Sequence, residues 1–551
     1  MAITSIFGIS SGFDTASLVE KLIALQARPM DLKLAQVQAK ETKLEAFQSL
    51  RTHLQTFQSV LNSMGTVDRF NLTTADFTVT AGTGNVLSVA TSSSASPGTF
   101  DITVNTLAQE TTLLSPSSAG YMSVNDIVPS GMGGPLTTYH VQIDVGGALT
   151  IVDLNATDTV QDVVDAINAS VADVTASVIN DGSAVNPIRI QIQGNQPGTA
   201  NAVTAFTFRD PNEVGMAQVT EVTFIKVQAA TDASVTVDGV DFARSSNTIN
   251  DIIPGVTLNL ESLGSGTLTI STDNTAIALN IQDFVDAFNE LIGFIDEQTE
   301  FNPETFKTGV LFGNSAVQSL ETTLRRIVSG PVVGGSGTFG FLSQIGITTQ
   351  DDGTLILDEV KLDQALTTDL DSVVSLFTSS GSASDANVTF VGFTDNTVAG
   401  IYDVQVVGGV PQLSPAGAGT FVDAVDNGAF FTGAAGTDAE GLSFSMASLV
   451  DASYGTITLS LGVIPQLNQH LSILLDSSQQ GPLTAELDSL TKSIDDLNDT
   501  LLRMDDRLEL FEKKIRQEFI NLEIILARLD AQRNAFQQAL QNLSSFFDRQ
   551  N

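Results

Sequence analysis

Few residues of this chain have the types and spacing that catalysis or metal binding requires. Its three histidines, His53, His140 and His470, lie far apart and lack the spacing of metal ligands. The chain contains no cysteine, so thiolate metal sites and disulfides are not available to it. We interpret the histidines as surface or packing residues, and we predict neither a metal site nor a cofactor.

Three short strings match known catalytic or ligand-binding patterns, but each lacks the structural context of its pattern. Gly8–Gly12 has the spacing of a nucleophile elbow, which needs a strand before it and a histidine partner. Gly335–Gly340 matches a glycine-rich nucleotide loop, yet no βαβ pattern surrounds it. Asp351–Gly353 resembles part of a calcium loop without the alternating ligands, so a hairpin turn is favoured. We therefore predict that the protein is not an enzyme.

The charge of the chain is concentrated in its middle. The formal net charge is −39, divided as +1 over residues 1–70, −38 over residues 71–490 and −2 over residues 491–551. Such an acidic body argues against binding to nucleic acid or to anionic membrane surfaces. The first residues lack the pattern of a Sec-type signal peptide, and no apolar run is long enough for a membrane span. We therefore expect that the protein is not inserted into a membrane. If it is exported, we expect a route other than the Sec pathway.

The element that must organise the chain is an apolar heptad pattern near its C-terminus. Apolar residues alternate at spacings of three and four, with one four-residue stutter between Ile515 and Phe519. Arg533 occupies one core position, either as a register or partner determinant or as a side chain that extends to solvent. The predicted coiled-coil seam consists of Leu487, Leu490, Ile494, Leu497, Leu501, Met504, Leu508, Phe511, Ile515, Phe519, Leu522, Leu526, Leu529, Arg533, Phe536 and Leu540.

The N-terminal segment also has helical periodicity. Ser17 and Glu20 have the spacing of a capping box and predict a short helix that ends at Pro29. A longer helix is predicted over residues 30–64. Amphipathic helices at both ends of the chain indicate that it leaves and returns along one stalk.

The middle of the chain alternates strand and turn signals, as antiparallel sheets do. Asp238-Gly239 and Asp352-Gly353 predict hairpins, and residues 159–168 predict a short helix. Further helices are predicted over residues 277–295, 317–327 and 362–370. The strings GTFDITV at 98–104 and GIYDVQV at 400–406 share a pattern. They are either edge strands with similar turns or parts of a duplicated module.

These patterns predict an α+β, multidomain fold class, in which long terminal coiled-coil helices form a stalk and several antiparallel β-rich domains form a head. The predicted domains are an N-terminal helical leg at 1–70, β-rich head domains at 71–272 with an α+β module at about 139–205, a helical and β leg-proximal domain at 273–378, an additional β-rich head module at 379–465 and a C-terminal coiled-coil helix at 466–551.

Several strings resemble the flagellar filament cap family, also called the flagellar hook-associated protein 2 family. They run in family order along the chain but do not extend over residues 111–140 or much of 380–435. Residues 159–168 with the strands that follow are also similar to a repeat shared by flagellin-like and hook-associated proteins, which implies that the module at about 139–205 is flagellin-like. The strings are ISSGFD at 9–14 followed by LVEKL at 18–22 and Pro29, NDIIPGVTLNL at 250–260, IGI at 345–347, DGTL at 352–355 with Asp358, AEGL at 439–442 and GTITLSLG at 455–462.

The resemblance implies a homo-oligomeric plate at the distal tip of the growing bacterial flagellum. Terminal helices would form legs among filament subunits, and the plate would retain exported flagellin and promote its folding and insertion. The implied partners are flagellin, hook–filament junction proteins and a cytoplasmic export chaperone that holds the C-terminal helix. Export would use the flagellar type III apparatus, to an extracellular location at the flagellum tip.

Three alternatives remain open from the sequence. A secreted adhesin or surface scaffold also suits β modules on a coiled-coil stalk, but it needs an anchor or a Sec signal. Flagellin or a junction protein also has helical ends around a β-rich middle, and IIPGVTLNL and the DGTL hairpin favour the cap instead. The third alternative is an enzyme in the segments that match no family string.

Overall fold

The chain divides into two compact units. The terminal unit comprises residues 1–66 and 278–551, and the inserted unit comprises residues 67–277. None of the helices in the described residues is both long and apolar enough to span a bilayer. The computed structural model describes residues 14–128, 138–209, 224–334, 337–476 and 481–547.

The predicted α+β fold class is confirmed. Two long terminal helices are present, and the sheets are antiparallel. The helices in the described stretches are α1 Thr15–Met64, α2 Val160–Asn168, α3 Asn274–Thr299, α4 Ser315–Ser329, α5 Glu359–Thr368, α6 Leu370–Phe377, α7 Val463–Leu475 and α8 Pro482–Phe547.

The core of the terminal unit forms where the second half of α1 packs on α3. Phe47, Leu54 and Phe57 recur at helical spacing on one face of α1 and are buried. The ring of Phe57 lies 6.3 Å from that of Phe284 and 6.0 Å from that of Phe288. Each large apolar side chain buried in this way stabilises the fold by roughly 1.5–3 kcal/mol. This packed end anchors both long terminal helices.

The start of α1 differs from the sequence prediction. Asp14, rather than Ser17, caps the helix, because its side chain accepts a hydrogen bond from the Ser17 backbone N–H at 3.0 Å. The prediction that Pro29 ends a first helix is also wrong, since Pro29 lies inside a continuous α1. Proline removes one intrahelical hydrogen bond. Because Pro29 is exposed, water can hydrate the carbonyl that loses this partner.

Two helix boundaries were not predicted. The helix predicted over residues 362–370 ends earlier, and α6 follows it directly, because Asp369 caps α6 by accepting from the Ser372 backbone N–H at 3.0 Å. Helix α7, most of which lies inside the range 466–551 given to the C-terminal helix, is separate from α8. Its buried Leu467 and Leu471 pack it into the terminal unit.

The inserted unit contains a five-stranded sheet in the order β1-β15-β3-β11-β12 and three smaller sheets in the orders β13-β14-β2, β10-β4-β8-β7 and β6-β5-β9. Its strands are β1 Thr73–Gly82, β2 Leu87–Thr91, β3 Gly98–Thr106, β4 Thr112–Leu114, β5 Thr138–Val145, β6 Ala148–Asn155, β7 Val174–Asn180, β8 Ile188–Gly194, β9 Val203–Arg209, β10 Ile225–Gln228, β11 Ala233–Val237, β12 Val240–Arg244, β13 Thr248–Ile249, β14 Val256–Leu260 and β15 Gly264–Thr272.

Two local predictions in the inserted unit are confirmed. Helix α2 occupies the predicted stretch, and Thr159 and Asp162 close a capping box at its start. Asp238 and Gly239 connect β11 to β12, with φ angles of 49° and 81°. Both angles lie in the left-handed region that a tight two-residue hairpin turn requires.

The terminal unit contains a β module between α6 and α7, in addition to two short hairpins. The module has a five-stranded sheet in the order β20-β28-β22-β23-β24 and a four-stranded sheet in the order β21-β27-β26-β25. The strands of this unit are β16 Phe301–Asn302, β17 Lys307–Thr308, β18 Ile347–Thr349, β19 Leu355–Leu357, β20 Ser379–Ala383, β21 Val388–Gly392, β22 Gly400–Val407, β23 Val410–Pro415, β24 Val422–Asp423, β25 Val425–Asp426, β26 Phe431–Thr432, β27 Ser443–Met446 and β28 Ala452–Leu461.

The strings GTFDITV and GIYDVQV occupy the same place in two sheets of matching strand order. They form β3 and β22, each the third strand of a five-stranded sheet, so the edge-strand interpretation is wrong. The register also matches, because the glycine that begins each string faces the residue two positions before the end of the neighbouring long strand. The pairs are Gly98 with Ile270 and Gly400 with Leu459, while the strand ends pair Thr73 with Thr272 and Ser379 with Leu461.

The smaller sheets of the two modules correspond as well, since β2-β14-β13 matches β21-β27-β26. We infer that residues 379–461 repeat the topology of the module between β1 and β15. The modules differ at one turn. Val407 faces Val410 across the two-residue turn Gly408-Gly409, whereas Thr106 faces Ser234 across residues 107–233. The stretch with α2 and β4 to β10 is therefore an insertion into one hairpin.

Candidate assembly surface on the terminal helices

Helices α1 and α8 pack against each other in antiparallel directions. At the anchored end, Lys43 Nζ of α1 lies 3.5 Å from Glu486 Oε1 of α8. Further along, Met30 of α1 lines one small cavity with Met504 and Leu508 of α8. Residue numbers fall along one helix as they rise along the other, so the chain leaves and returns along one stalk, as predicted from the sequence.

A polar cluster fixes this register at the anchored end. Glu486 Oε1 accepts a hydrogen bond from Asn314 Nδ2 at 3.1 Å, in addition to its contact with Lys43. Asn314 also caps α4, because its side chain accepts from the Ala316 and Val317 backbone N–H groups. Sequence analysis did not find this cluster, since its members are hundreds of residues apart and share no local pattern.

The predicted seam is buried at the start of α8 and becomes exposed towards its end. Leu487, Leu490 and Ile494 are buried, and the seam positions from Leu497 to Phe519 are partly buried. Beyond Phe519 most seam side chains are exposed. The exposed members are Leu522 at 45%, Leu529 at 54%, Arg533, Phe536 at 66% and Leu540, whereas Leu526 is partly buried.

The change from buried to exposed seam side chains along α8 follows from the lengths of α1 and α8. Helix α1 begins at Thr15, and the antiparallel register places that residue close to Phe519 of α8. The described part of α1 therefore covers the seam only up to about that position. The exposed seam, defined here as Leu522, Leu529, Phe536 and Leu540, continues an apolar stripe whose first half is already packed. An exposed apolar stripe of this kind is typical of a surface that packs against a partner.

Arg533 lies within the exposed half of the seam. Its side chain is exposed, and its Nη2 lies 3.2 Å from Asp530 Oδ1, three residues earlier on α8. Exposed pairs of this type contribute roughly 0–1 kcal/mol. In the isolated chain Arg533 thus reaches an acidic group on its own helix, and its role as a register or partner determinant stays a prediction.

Ion pairs support α8 where its packing is sparse. Arg516 Nη2 lies 2.7 Å from Glu512, and Lys513 pairs with Glu509, each across one helical turn. The hydrogen bond and the charge of Lys513 hold the pKa of Glu509 below its ordinary value. Pairs four residues apart add roughly 0.2–0.5 kcal/mol each to an isolated helix. They lie outside the seam and leave it free for apolar contacts.

The residue types that could do chemistry are not brought together. His53 stacks on Phe294 at 4.3 Å, and His140 lies 3.2 Å from the amide nitrogen of Gln142. His470 is half-buried, and burial together with Arg326 lowers its pKa. Across the part of the chain that the structure describes, no group of three potential metal ligands occurs.

The three catalytic or ligand-like strings have ordinary surroundings where they are described. Asp352 lies in the β18–β19 hairpin, and its Oδ1 accepts from the Thr354 backbone N–H at 2.9 Å, as the predicted turn requires. In the glycine-rich string, Thr338 donates its backbone N–H to Ser372 Oγ at 2.7 Å. Gly335 lies outside the described residues, as do the whole string Gly8–Gly12 and the family string at residues 9–13.

Three family models match the chain. The model of the flagellar hook-associated protein 2 C-terminus matches residues 230–531, and the model of its N-terminus matches residues 11–111. The flagellin hook IN motif matches residues 141–186, which lie within the range predicted for a flagellin-like module. The matches include residues 380–435, where the sequence strings gave no resemblance.

Individual proteins are similar over most of the chain. The flagellar hook-associated protein 2 of Escherichia coli K12 is 30% identical over 407 residues, which cover 71% of this chain and 83% of that protein. The A-type flagellar hook-associated protein 2 of Pseudomonas aeruginosa is 27% identical over 410 residues, 68% of this chain and 80% of that protein.

A solved structure is similar as well. The crystal structure of the D1-D2-D3 domains of the flagellar cap protein FliD from Escherichia coli has a TM-score of 0.54 and 25% sequence identity, and it covers 81% of this chain and 99% of that chain.

Proposed function

The chain belongs to the flagellar hook-associated protein 2 family of flagellar filament cap proteins, and we propose that it retains exported flagellin at the distal tip of the filament and promotes flagellin folding and insertion. In this proposal the protein works as a structural element and makes or breaks no covalent bond. Its partners are other copies of the same chain and the flagellin subunits beneath them.

The observation that carries the proposal is the half-covered seam of α8. An isolated helix is marginal in water and gains its stability mainly from a packed apolar face. Burying Leu522, Leu529 and Phe536 would each add roughly 1.5–3 kcal/mol, which offsets the cost of ordering the end of the helix. A leg that completes its packing only within the assembly is held firmly there and stays soluble as a single chain.

The incomplete packing of the end of α8 before assembly also suits export. We infer that the weakly packed end of α8 remains partly unfolded before assembly, which keeps the chain thin enough for the flagellar type III apparatus. A cytoplasmic chaperone that covers the exposed seam would prevent premature association. Hook–filament junction proteins would offer the first helical surface against which the legs pack.

The alternative of a secreted adhesin or surface scaffold is not favoured. Family models match residues 11–111, 141–186 and 230–531, which include α1, most of α8 and much of the β-rich middle. No feature of the described residues points to an adhesive ligand instead of a filament partner.

The experiment that tests the proposal uses a strain that lacks this chain. We expect short or absent filaments by electron microscopy and abundant flagellin monomer in the medium, both reversed when the gene is restored. Full-length filaments without leaked flagellin would refute the capping role.

A further inference from the structure

Three phenylalanine side chains form an exposed cluster on the terminal unit. Phe301, Phe306 and Phe312 lie between α3 and α4, around the hairpin of β16 and β17. The ring of Phe301 lies 6.4 Å from that of Phe306 and 6.2 Å from that of Phe312. All three are exposed, and Phe306 most of all, at 80%. We call this surface the phenylalanine patch, since contiguous exposed aromatic groups mark interaction sites.

The backbone at Phe306, the most exposed of the three rings, is conformationally strained. Phe306 has a φ of 54°, in the left-handed region that bulky side chains rarely adopt. The preceding turn is fixed by Asn302 Oδ1, which accepts from the Glu304 and Thr305 backbone N–H groups at 3.0 Å each. A strained, pre-formed turn that presents an aromatic ring to solvent is typical of a binding surface.

The surroundings of the phenylalanine patch are acidic. Glu297, Glu300 and Glu304 are exposed, and none of them forms a salt bridge within the described parts of the chain. Lys307 is the single cation between residues 297 and 312. The patch therefore fits a partner that combines apolar side chains with positive charge.

One surface on α1 of the same chain combines apolar side chains with positive charge. Leu18, Leu25 and Leu32 follow one another at seven-residue spacing on α1 and are all exposed. Lys21 and Arg28 lie between them, also seven apart and exposed, and neither forms a salt bridge with any residue that the structure describes. Residues three, four and seven apart share one face of a helix. We call these five residues the leucine–cation stripe.

We propose that the phenylalanine patch of one copy of this chain docks on the leucine–cation stripe of a second copy. The inference deepens the proposed function, because it rests on self-assembly of the cap and assigns a surface to it. Apolar rings would cover the leucines, while Glu300 and Glu304 would face Lys21 and Arg28. Among the residues that the structure describes, neither surface has a partner of this kind in its own chain.

The two surfaces lie at different heights along the stalk. Phe312 is next to Asn314, which binds Glu486 at the level of Lys43 on α1. The centre of the stripe, Leu25, is 18 residues away, or roughly 27 Å at 1.5 Å per helical residue. If each copy places its patch on one neighbour and its stripe against another, the contact is heterologous and propagates around a ring or a helix, whereas a reciprocal pair closes as a two-fold dimer.

Disulfide trapping tests the docking directly, because the chain has no cysteine of its own. Full-length Phe306→Cys and full-length Leu25→Cys are prepared separately, mixed and oxidised. We expect the mixed disulfide in about tenfold excess over that formed by Phe306→Cys with Leu502→Cys, because docking raises the local thiol concentration. Leu502 is the matched control, since it is 66% exposed on α8 and Leu25 is 58% exposed on α1.

Charge reversal gives a second, independent readout. The double variant Glu300→Lys with Glu304→Lys, built on Phe306→Cys, should lose the excess of trapped product. It should regain that excess when the Leu25→Cys partner carries Lys21→Glu and Arg28→Glu. Far-UV circular dichroism of each variant checks that its fold is intact.

Equal trapping at Leu25→Cys and Leu502→Cys, or a preference of Phe306→Cys for itself, would overturn the proposed docking. If the wild-type chain assembles in sedimentation experiments while the mixed disulfide is absent, the docking fails and the capping role stands. Full-length filaments in the strain without this chain would remove the capping role itself.

Discussion

The carboxylate of Asp369 shows how one side chain divides two helices. It accepts hydrogen bonds from the Ser372 backbone N–H at 3.0 Å, from Thr338 Oγ1 at 2.6 Å and from Ser372 Oγ at 2.5 Å. The bonds from Ser372 and Thr338 lower the pKa of Asp369 to about 2. Because the folded-state pKa lies below the ordinary value of 3.8, the carboxylate stabilises the fold above that ordinary value and loses this effect as the pH falls through about 2.

Asp369→Ala should therefore lower the free energy of unfolding at neutral pH, and the difference from wild type should shrink as the pH falls from about 6 towards about 2. Urea unfolding followed by circular dichroism at several pH values measures both quantities. Asp371→Ala is the matched control, because Asp371 lies exposed in the same first turn of α6. A difference that is independent of pH would contradict the assignment.

At the scale of single residues, the sequence predicted one local turn correctly and one local cap wrongly. The turn at Asp238-Gly239 involves neighbours in the chain and is visible in the sequence, whereas Asp14 replaces the capping box predicted for Ser17 and Glu20. Thr338, a second partner of Asp369, lies 31 residues earlier, and Glu486 contacts Lys43, 443 residues earlier. Neither contact has a local signal. The cap that Asp369 makes with the Ser372 backbone N–H is local, but the boundary between α5 and α6 was not predicted from it.

Among the elements, the two β modules make the clearest test of the inferred duplication. One module closes the hairpin between its third and fourth strands with Gly408-Gly409, and the other carries residues 107–233 at the equivalent place. Replacing residues 107–233 with Gly-Gly should leave a module that still folds, because Thr106 and Ser234 already face each other across the hairpin.

Thermal unfolding and size-exclusion chromatography of the shortened chain provide the measurement. We expect a cooperative transition and a correspondingly smaller hydrodynamic radius. As a control, the same length of chain is removed between residues 140 and 266, which deletes β11 to β14 and should abolish cooperative unfolding. If the Gly-Gly replacement also abolishes cooperative unfolding, the insertion is an integral part of the module.

The two halves of helix α8 should differ in how well their backbone amides are protected from hydrogen exchange. Its first turns pack at Leu487, Leu490 and Ile494, while the seam beyond Phe519 is largely uncovered. In the isolated chain, backbone amides around residues 482–500 should exchange slowly and those around residues 522–540 quickly, because exchange follows local opening. Assembly should slow only the second group. Hydrogen exchange with mass spectrometry compares the two states, and uniform protection along α8 of the isolated chain would contradict this.

The heptad pattern predicted that α8 is a long helix with one apolar stripe, and this much could be read from the sequence. Which part of the stripe is covered depends on where α1 begins and on its antiparallel register with α8. That register is set by Lys43, Glu486 and Asn314, and by the packing of Leu483 near Phe47. These contacts join distant parts of the chain, so periodicity does not reveal them.

In the molecule as a whole, the two ends of the α1–α8 helix pair differ in packing. The buried end near Phe47 and Phe57 holds the terminal unit together, and the other end presents unpaired apolar residues of α8. We propose that neighbouring molecules cover this exposed part of the stripe in the assembly. Its strongly acidic middle, at −38, disfavours uncontrolled association of the β-rich body.

The most direct measurement of the capping role is the partition of flagellin between filaments and medium in a strain whose only copy of this protein is altered in the exposed seam. Leu522→Asp with Leu529→Asp places charge on the seam, and Ile524→Asp with Ala531→Asp places it on another face of the same turns. Leu522 and Ile524 are 45% and 47% exposed, so the two variants differ in position and hardly in exposure.

We expect the seam variant to be exported normally, to give short filaments and to release flagellin into the medium, whereas the off-seam variant should resemble wild type. Immunoblots of the medium for both proteins and filament lengths by electron microscopy provide the result. Equal filament lengths and equal flagellin release for the two variants would contradict a cap whose legs are completed by burial of the α8 seam.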